Sequence, residues 1–189
     1  MILRGRVWTL AANVGATDLL PTRYDKQGMS RQWDECAKHV LEDARPGVAD
    51  SIAHGDIVVA GTNFGAGHAH YYSAAVMGCR TAGIAAFLVD GIGGLFQRAC
   101  IDFGMPAWAM PGISAFVEEG SELRIDLATG EGLNLTTGAT ARFNPVAPLI
   151  LDILGAGGSG PWALGRVAAA AAGTARHGKA GGTAEHGVG

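Results

Sequence analysis

The sequence has 189 residues, of which 48% are hydrophobic and 16% are charged, and its formal net charge at pH 7 is −3. This length is enough for one domain with a sizeable core, and without a basic excess the chain lacks the usual electrostatic footprint of a nucleic-acid-binding protein. No apolar run is long enough to cross a bilayer, and the first residues are too few and too charged to form a signal peptide.

The cysteines indicate the cellular compartment. There are three of them, Cys36, Cys79 and Cys100, and they form no C-x-x-C pair. An odd number of widely spaced cysteines argues against a disulfide framework and against a zinc site. We therefore expect buried, inert thiols in a protein of the reducing cytoplasm.

The first third of the chain predicts one strand, a loop and one helix. Residues 2–10 alternate enough to form a strand, and a loop follows from Asn13 to Tyr24. Ser30 is a good helix N-cap, with acidic residues soon after it. Apolar residues then recur at helical spacing as far as Glu42. They are Trp33, Cys36, Ala37, Val40 and Leu41.

The central stretch, residues 55–72, predicts a strand, a glycine-rich loop and the start of a helix. Residues 57–60 are typical of a short buried strand, and a helical pattern begins near His68. Between them lie Gly61, Gly65 and Gly67. This layout directs free backbone N–H groups and the positive end of a helix dipole towards one point, which favours an anion. Because His68 and His70 lie at that point, this stretch is the best candidate for a functional site.

The following segment continues the same alternation of strands and helices. We predict strands at residues 83–89 and 107–110, and between them a helix at residues 95–103. Together with the central strand they form a parallel α/β core.

The last part of the chain changes character. A helix is predicted at residues 149–154, and before it three short segments form an antiparallel meander. Those segments are residues 122–127, 133–136 and 140–143. We assign residues 1–167 to a single domain, and residues 168–189, which are rich in Ala and Gly, to a disordered tail.

Two other kinds of site are disfavoured at the glycine-rich loop. Its glycine spacing is not G-x-G-x-x-G, and no Lys-Ser/Thr pair follows as in a P-loop, so we do not assign a nucleotide site. A metal site would use His68 and His70, which point apart on a helix but could converge at its junction with a loop. No third ligand is visible, so we do not favour a metal.

The motifs along the chain, taken together, carry a resemblance. Residues 59–67, Val-Ala-Gly-Thr-Asn-Phe-Gly-Ala-Gly, resemble the signature of the aconitase-type swivel domain, specifically of the small subunits of 3-isopropylmalate dehydratase. The further matching motifs, in chain order, are Gly5-Arg-Val-Trp8, Pro21-Thr-Arg23-Tyr24, Ala37-Lys-His39, Glu42-Asp43, residues 55–61, Phe96-Gln-Arg98, Asn134-Leu-Thr-Thr-Gly138 and Ala156-Gly-Gly158. The resemblance implies an α/β fold of the swivelling β/β/α type, with parallel core strands and an antiparallel meander.

The resemblance also implies a division of labour between two subunits. A separate large subunit would carry a 4Fe-4S cluster that acts as a Lewis acid, and this chain would bind no cofactor itself. The two subunits would form a heterodimer or heterotetramer acting on a hydroxy di- or tricarboxylate, with leucine biosynthesis as the family's usual pathway. The small subunit would supply a base and groups that hold the substrate's carboxylates, and it would be active only with its partner.

The chain departs from the family where the resemblance places the chemistry. After Gly67 the family has Ser-Ser-Arg-Glu-His, in which the first serine is the base and the arginine holds a carboxylate. Here the same positions are His68, Ala69, His70, Tyr71 and Tyr72. Histidine can act as a base near neutral pH, and a protonated histidine could partly replace the arginine without its bidentate geometry. We therefore predict that His68 and His70 are catalytic.

The remaining predicted site residues would bind the substrate. They are Asn63, Gly65, Gly67, Ala69, Tyr71 and Arg23. For Arg23, a structural salt bridge is an equally reasonable role. The loss of two serines and an arginine leaves a second hypothesis open, namely a catalytically inactive subunit that binds or regulates the large subunit.

Overall fold

The structure, a computed structural model, describes residues 1–67 and 72–179. A seven-stranded sheet runs through it in the order β4-β3-β2-β1-β5-β6-β7. Neighbouring strands among β1 to β4 pair in parallel. On the other side of β1, strands β5, β6 and β7 continue the sheet in antiparallel pairs. The strands are β1 (Ile2–Leu10), β2 (Ile57–Ala60), β3 (Ala86–Val89), β4 (Ala107–Ala109), β5 (Glu122–Asp126), β6 (Glu131–Asn134) and β7 (Thr140–Arg142). This topology confirms the predicted parallel core and antiparallel meander.

Eight α-helices surround the sheet in the described part of the chain. They are α1 (Ala16–Leu19), α2 (Asp25–Met29), α3 (Trp33–Ala37), α4 (Tyr72–Ala82), α5 (Gly94–Asp102), α6 (Ile113–Phe116), α7 (Pro148–Gly155) and α8 (Ser159–Lys179). Short 3-10 turns lie at Thr22–Tyr24 and Ala49–Ser51. No helix of the described residues has both the length and the apolar character needed to cross a membrane.

The central strands are buried on both faces, as their continuous apolar runs predict. Along β2, Val58 and Ala60 pack into a core with helices α1, α3, α4 and α5, whereas Ile57 and Val59 pack into a second core on the opposite face. All four residues are at most 1% exposed. The sheet therefore separates two apolar layers. Packing on both faces holds the strands in place, and this fixes the position of the loops at the strand ends.

Strand β1 joins the parallel and antiparallel halves. Its residues 7–10 pair in parallel with β2, from Val7 opposite Ile57 onwards. Its residues 2–6 pair with β5 in antiparallel register, with Arg4 opposite Arg124. The carboxyl ends of β1, β2 and β3 consequently lie at one edge of the sheet.

The predicted helix from Ser30 to Glu42 is wrong in its extent, because α3 covers only Trp33–Ala37. Arg31 and Leu41 have positive φ angles of 55° and 61°, which interrupt a right-handed helix on both sides. The N–H of Leu41 donates to the carbonyl of Leu19 at 2.8 Å, so a tertiary contact ends the helical pattern.

The C-terminal segment also differs from the sequence-based expectation. Helix α8 continues through residues 168–179, part of the stretch that the sequence predicts to be disordered. Residues 163–172 are exposed throughout, so neighbouring elements do little to bury this helix. Alanine has the highest intrinsic helix propensity, and the run of alanines at 168–172 favours a helix in this exposed stretch. Residues 180–189 lie outside the described residues.

Candidate functional site

Three loops meet at the carboxyl edge of the parallel strands. They are residues 11–15 after β1, residues 61–67 after β2 and residues 90–93 after β3. Backbone hydrogen bonds join the middle loop to both neighbours. These are Asn13 N–H to Thr62 O (2.9 Å), Gly65 N–H to Val14 O (2.7 Å), Ala16 N–H to Ala66 O (3.0 Å), Phe64 N–H to Gly91 O (3.0 Å) and Gly93 N–H to Phe64 O (2.8 Å). The carboxyl edge of parallel strands is where open α/β sheets bind ligands.

Two glycines of the middle loop are required for different reasons. Gly65 is buried at φ 75°, and a Cβ there would lie 2.2 Å from Cδ1 of Phe96. Gly67 is exposed at φ 112°, but a Cβ there would meet nothing within 4 Å. Gly65 therefore allows the loop to approach helix α5, whereas Gly67 allows a backbone conformation that other residues rarely adopt. The N–H of Gly65 is bonded to Val14, so it is not directed towards the open side of the loop.

Two asparagines link the first loop to the middle loop. The side-chain amide of Asn63 donates to Oδ1 of Asn13 at 3.0 Å. Both residues are exposed and have positive φ angles, 59° for Asn63 and 64° for Asn13. Asparagine tolerates this conformation better than most residues. Asn63 was predicted as a site residue, whereas Asn13 was not, because its contribution depends on a partner 50 residues away.

Two helices begin at this edge. Helix α5 starts at Gly94. Its N-cap residue is Gly93, and no side-chain capping hydrogen bond forms there. Helix α4 starts at Tyr72, whose hydroxyl donates to the carbonyl of Gly67 at 3.1 Å. The first N–H groups of α5 have no intrahelical partner, and its N-terminus carries partial positive charge. The edge is therefore suited to hold carboxylates.

Four of the predicted site residues lie outside the described residues. They are His68, Ala69, His70 and Tyr71. Their flanking residues Gly67 and Tyr72 are described, and these place the segment between the glycine-rich loop and helix α4. The proposed catalytic roles of His68 and His70 remain predictions.

Arg23 lies in a network of charged side chains. Its guanidinium donates two hydrogen bonds to the carboxylate of Asp43, at 2.7 and 3.0 Å, and forms an ion pair with Glu42 at 3.0 Å. The hydrogen bond from Arg23 holds the pKa of Asp43 below its usual value. Hydrogen bonds from Tyr24 and Arg23 likewise lower the pKa of Glu42. This arrangement gives Arg23 a structural partner and leaves its predicted role in substrate binding as a proposal.

An aspartate that the sequence analysis did not single out anchors the third loop. Oδ1 of Asp90 accepts hydrogen bonds from the N–H groups of Gly112 (2.9 Å) and Ser114 (3.3 Å), and the Ser114 hydroxyl donates to Oδ2. Asp90 follows β3 directly, and α6 begins at Ile113. The carboxylate therefore ties the loop to the start of α6. This role of Asp90 depends on the proximity of β3 and α6 in the fold, so the sequence alone does not reveal it.

The described residues offer no metal centre. No group of three or more His, Cys, Asp or Glu side chains among them could hold a metal ion. Burial raises the pKa of all three thiols, that of Cys79 to about 12 and that of Cys100 well above its usual value. Protonated, buried thiols are poor ligands, because the thiolate is the species that binds metals. These cysteines do not fit an iron–sulfur cluster.

Comparisons with known proteins agree over most of the chain, although no family model matches it. The chain is 36% identical over 153 residues to 3-isopropylmalate dehydratase small subunit 1 of Thermotoga maritima, an alignment covering 81% of this chain and 89% of that protein. It is 38% identical over 157 residues to the methanogen homoaconitase small subunit of Methanothermobacter thermautotrophicus, covering 83% and 88% respectively.

A solved structure has the same fold. A crystal structure of 3-isopropylmalate dehydratase from Methanocaldococcus jannaschii matches with a TM-score of 0.82 and 24% identity, covering 90% of this chain and 98% of that one. This match confirms the predicted fold class, the mixed α/β architecture with parallel and antiparallel strands in one sheet.

Proposed function

Because the chain belongs to the family of 3-isopropylmalate dehydratase small subunits, we propose that it works in a hydro-lyase or isomerase for a hydroxy di- or tricarboxylate. It would do so together with a separate large subunit, as the word "subunit" in its relatives' names implies. One observation supports the proposal that this chain takes part in catalysis. The loops after β1, β2 and β3 are hydrogen-bonded into one surface, at which helices α4 and α5 begin.

The reaction sets three chemical requirements. A base must take a proton from a weakly acidic carbon next to a carboxylate, the leaving hydroxide must be stabilised, and the carboxylates must be held in place. A 4Fe-4S cluster on the large subunit would supply Lewis-acid help to the leaving hydroxide. The described residues of this chain do not fit such a cluster, so the base and the carboxylate-binding groups are the contribution we assign to it.

His68 is the proposed base. A neutral imidazole accepts a proton near pH 7, and His68 occupies the position of the family's catalytic serine. His70 occupies the position of the arginine and would hold a carboxylate when protonated. The positive end of a helix dipole opposes that protonation, so the charge of the bound substrate must stabilise the imidazolium.

The other proposed contacts come from the loop around the histidines. Asn63 is exposed beside the candidate site and bonded to Asn13, so its amide has a defined position. Gly67, Ala69 and Tyr71 would bind a substrate carboxylate through their backbone N–H groups, a kind of contact that is favoured where a helix begins. Gly65 would act by placing this loop against α5, and Arg23 would attract a carboxylate from outside the loop.

The relatives' names suggest which substrates to test. They include an isopropylmalate/citramalate isomerase small subunit from Methanocaldococcus jannaschii, at 36% identity, besides the dehydratase and homoaconitase subunits. A substrate panel should therefore span 2-hydroxy di- and tricarboxylates with side chains of different size and charge.

The test begins with the complex. The chain would be co-purified without oxygen together with a large subunit from the same organism, and the cluster would be reconstituted. Formation of an unsaturated acid would then be followed by ultraviolet absorbance. We expect turnover of at least one substrate and its loss in His68→Ala. The matched control is His54→Ala, which removes an exposed histidine from the turn before β2 and should leave the rate unchanged.

The outcomes separate the two hypotheses. Full activity in His68→Ala would exclude that residue as the base. A stable complex without activity on the whole panel would favour the inactive binding or regulatory subunit.

A further inference from the structure

A groove of about 550 Å³ lies on the antiparallel half of the sheet. Leu133 of β6 lines it, with Arg124 of β5 directly opposite on one side and Thr140 of β7 directly opposite on the other. Two residues further along β6, Glu131 is directly opposite Arg142. Directly opposite residues of antiparallel strands share a face of the sheet, so these five side chains line one surface. Leu133 is half-buried there, and the other four residues are exposed.

The charged side chains around this groove are only partly paired. Arg4 of β1 is directly opposite Arg124, and it forms its ion pair with Glu122, at 2.7 Å between nitrogen and oxygen. Within the part of the chain that the structure describes, the side chains of Arg124, Glu131 and Arg142 form no hydrogen bond or ion pair. Like charges directly opposite each other on neighbouring strands are unfavourable. An anion bound at Arg124 would therefore relieve its repulsion with Arg4.

The unpaired groups define the chemistry of a ligand. A guanidinium binds a carboxylate through two parallel hydrogen bonds, whereas the carboxylate of Glu131 can only accept hydrogen bonds, as from an ammonium group. Arg124 and Glu131 are diagonal neighbours on adjacent strands, about 7 Å apart, so a small molecule can contact both. Leu133, directly opposite Arg124, offers an apolar surface beside them. A carboxylate, an ammonium group and an apolar side chain are the three parts of an apolar amino acid.

We propose that this groove binds a zwitterionic α-amino acid with an apolar side chain. Arg124 and Arg142 hold its carboxylate, Glu131 accepts hydrogen bonds from its ammonium group, and its side chain lies on Leu133. A dicarboxylate fits less well, because Glu131 would repel its second carboxylate. A simple amine fits less well, because the two arginines would repel it. The inference does not rest on the proposed function, since the groove shares no residue with the loops at the carboxyl edge of the parallel strands.

Amide resonances of the full-length chain, titrated with L-norleucine, test the proposal directly. Low ionic strength is used, because salt screens exposed charges. Two analogues dissect the contacts, since hexanoate lacks the ammonium group and pentylamine lacks the carboxylate. We expect saturable shifts in β5, β6 and β7 with L-norleucine, and binding about fivefold weaker for each analogue, as for the loss of one exposed ion pair. Absence of shifts in these strands, or equal binding of either analogue, would overturn the proposal.

Substitutions assign the contacts to residues. We expect Arg124→Gln to weaken binding of L-norleucine about fivefold, and Glu131→Gln to remove its advantage over hexanoate. Arg166→Gln is the matched control, because Arg166 is an exposed arginine of α8 that lies over the Trp162 ring, and it should leave the affinity unchanged. If Arg124→Gln does not fold, Arg142→Gln makes the same test. Wild-type affinity in a folded variant of either groove arginine would contradict the proposed site.

Discussion

A Cβ atom on Gly65 would lie 2.2 Å from Cδ1 of Phe96, so the glycine-rich loop rests directly on a ring of helix α5. We expect Gly65→Ala to lower the free energy of unfolding by about 3 kcal/mol, from the left-handed backbone together with overpacking against the ring. Urea unfolding followed by circular dichroism measures this change.

Gly67→Ala is the control for that substitution. It imposes backbone strain without a steric contact, because a Cβ there meets nothing within 4 Å. We expect a smaller loss, about 1–2 kcal/mol. Equal losses in the two variants would mean that the ring of Phe96 moves aside at little cost.

Asp56 couples stability to pH. Burial alone would raise its pKa, but hydrogen bonds from Arg6, the Ala53 N–H and Trp8 outweigh burial and hold the pKa below its usual value. A carboxyl with a lowered folded-state pKa contributes stability above its unfolded pKa of about 4, and that contribution is lost as pH falls through the folded value. We expect Asp56→Asn to cost about 2 kcal/mol at pH 7, because an amide replaces the buried carboxylate that accepts these hydrogen bonds.

The pH dependence provides the check on Asp56. The stability difference between wild type and Asp56→Asn should narrow as the pH falls below about 4, where the unfolded carboxyl is protonated first, and it should level off once the folded carboxyl is also protonated. Denaturant titrations between pH 2 and pH 7 would show this. A difference that stays constant over that range would contradict the assignment.

The thiols should be unreactive in the folded protein. Cys36, Cys79 and Cys100 are all 0% exposed, and burial raises the pKa of each. Since the thiolate is the reactive form, we expect negligible reaction with a disulfide reagent at pH 8 and reaction of all three thiols after denaturation. Rapid labelling of any cysteine in the native protein would show that its helix opens readily.

Substitution of Asp43, the partner of Arg23, can separate the structural role of Arg23 from its proposed role in substrate binding. Asp43 takes two hydrogen bonds from the guanidinium, at 2.7 and 3.0 Å. If Arg23 also attracts substrate, Arg23→Ala should raise KM several-fold, whereas Asp43→Ala keeps the guanidinium, with Glu42 as its remaining partner, and should not. Steady-state kinetics of the two variant complexes make the comparison. Equal effects on KM would identify the contact as a structural ion pair alone.

The strands were predictable because their signal is local. The apolar run at residues 57–60 and the alternation at residues 2–10 each specify a strand with one or two buried faces, and both are present. The glycine-rich loop was found from its spacing after β2. Its contacts were not, because the Asn13–Asn63 and Gly65–Phe96 pairs join residues that are far apart in sequence.

The errors have the same physical origin. The helix predicted from Ser30 to Glu42 is interrupted where the Leu41 N–H reaches the Leu19 carbonyl, a contact that periodicity does not reveal. Conversely, residues 168–179 extend α8 although their composition suggests a tail, because alanine favours a helix even when it is exposed. Local pattern therefore predicted the layers of the fold better than the points at which the chain turns.

Strand β1 contributes its first residues to one half of the sheet and its last residues to the other. Ile2 to Arg6 pair with β5, and Val7 to Leu10 pair with β2. Neither half can close its core without this strand, so the two are one cooperative unit. During synthesis, residues 1–10 emerge early, but the pairing of β1 can be completed only after residues 122–126 have been made. A fragment that ends before β5 would expose the edge of β1, and such unpaired edges promote aggregation.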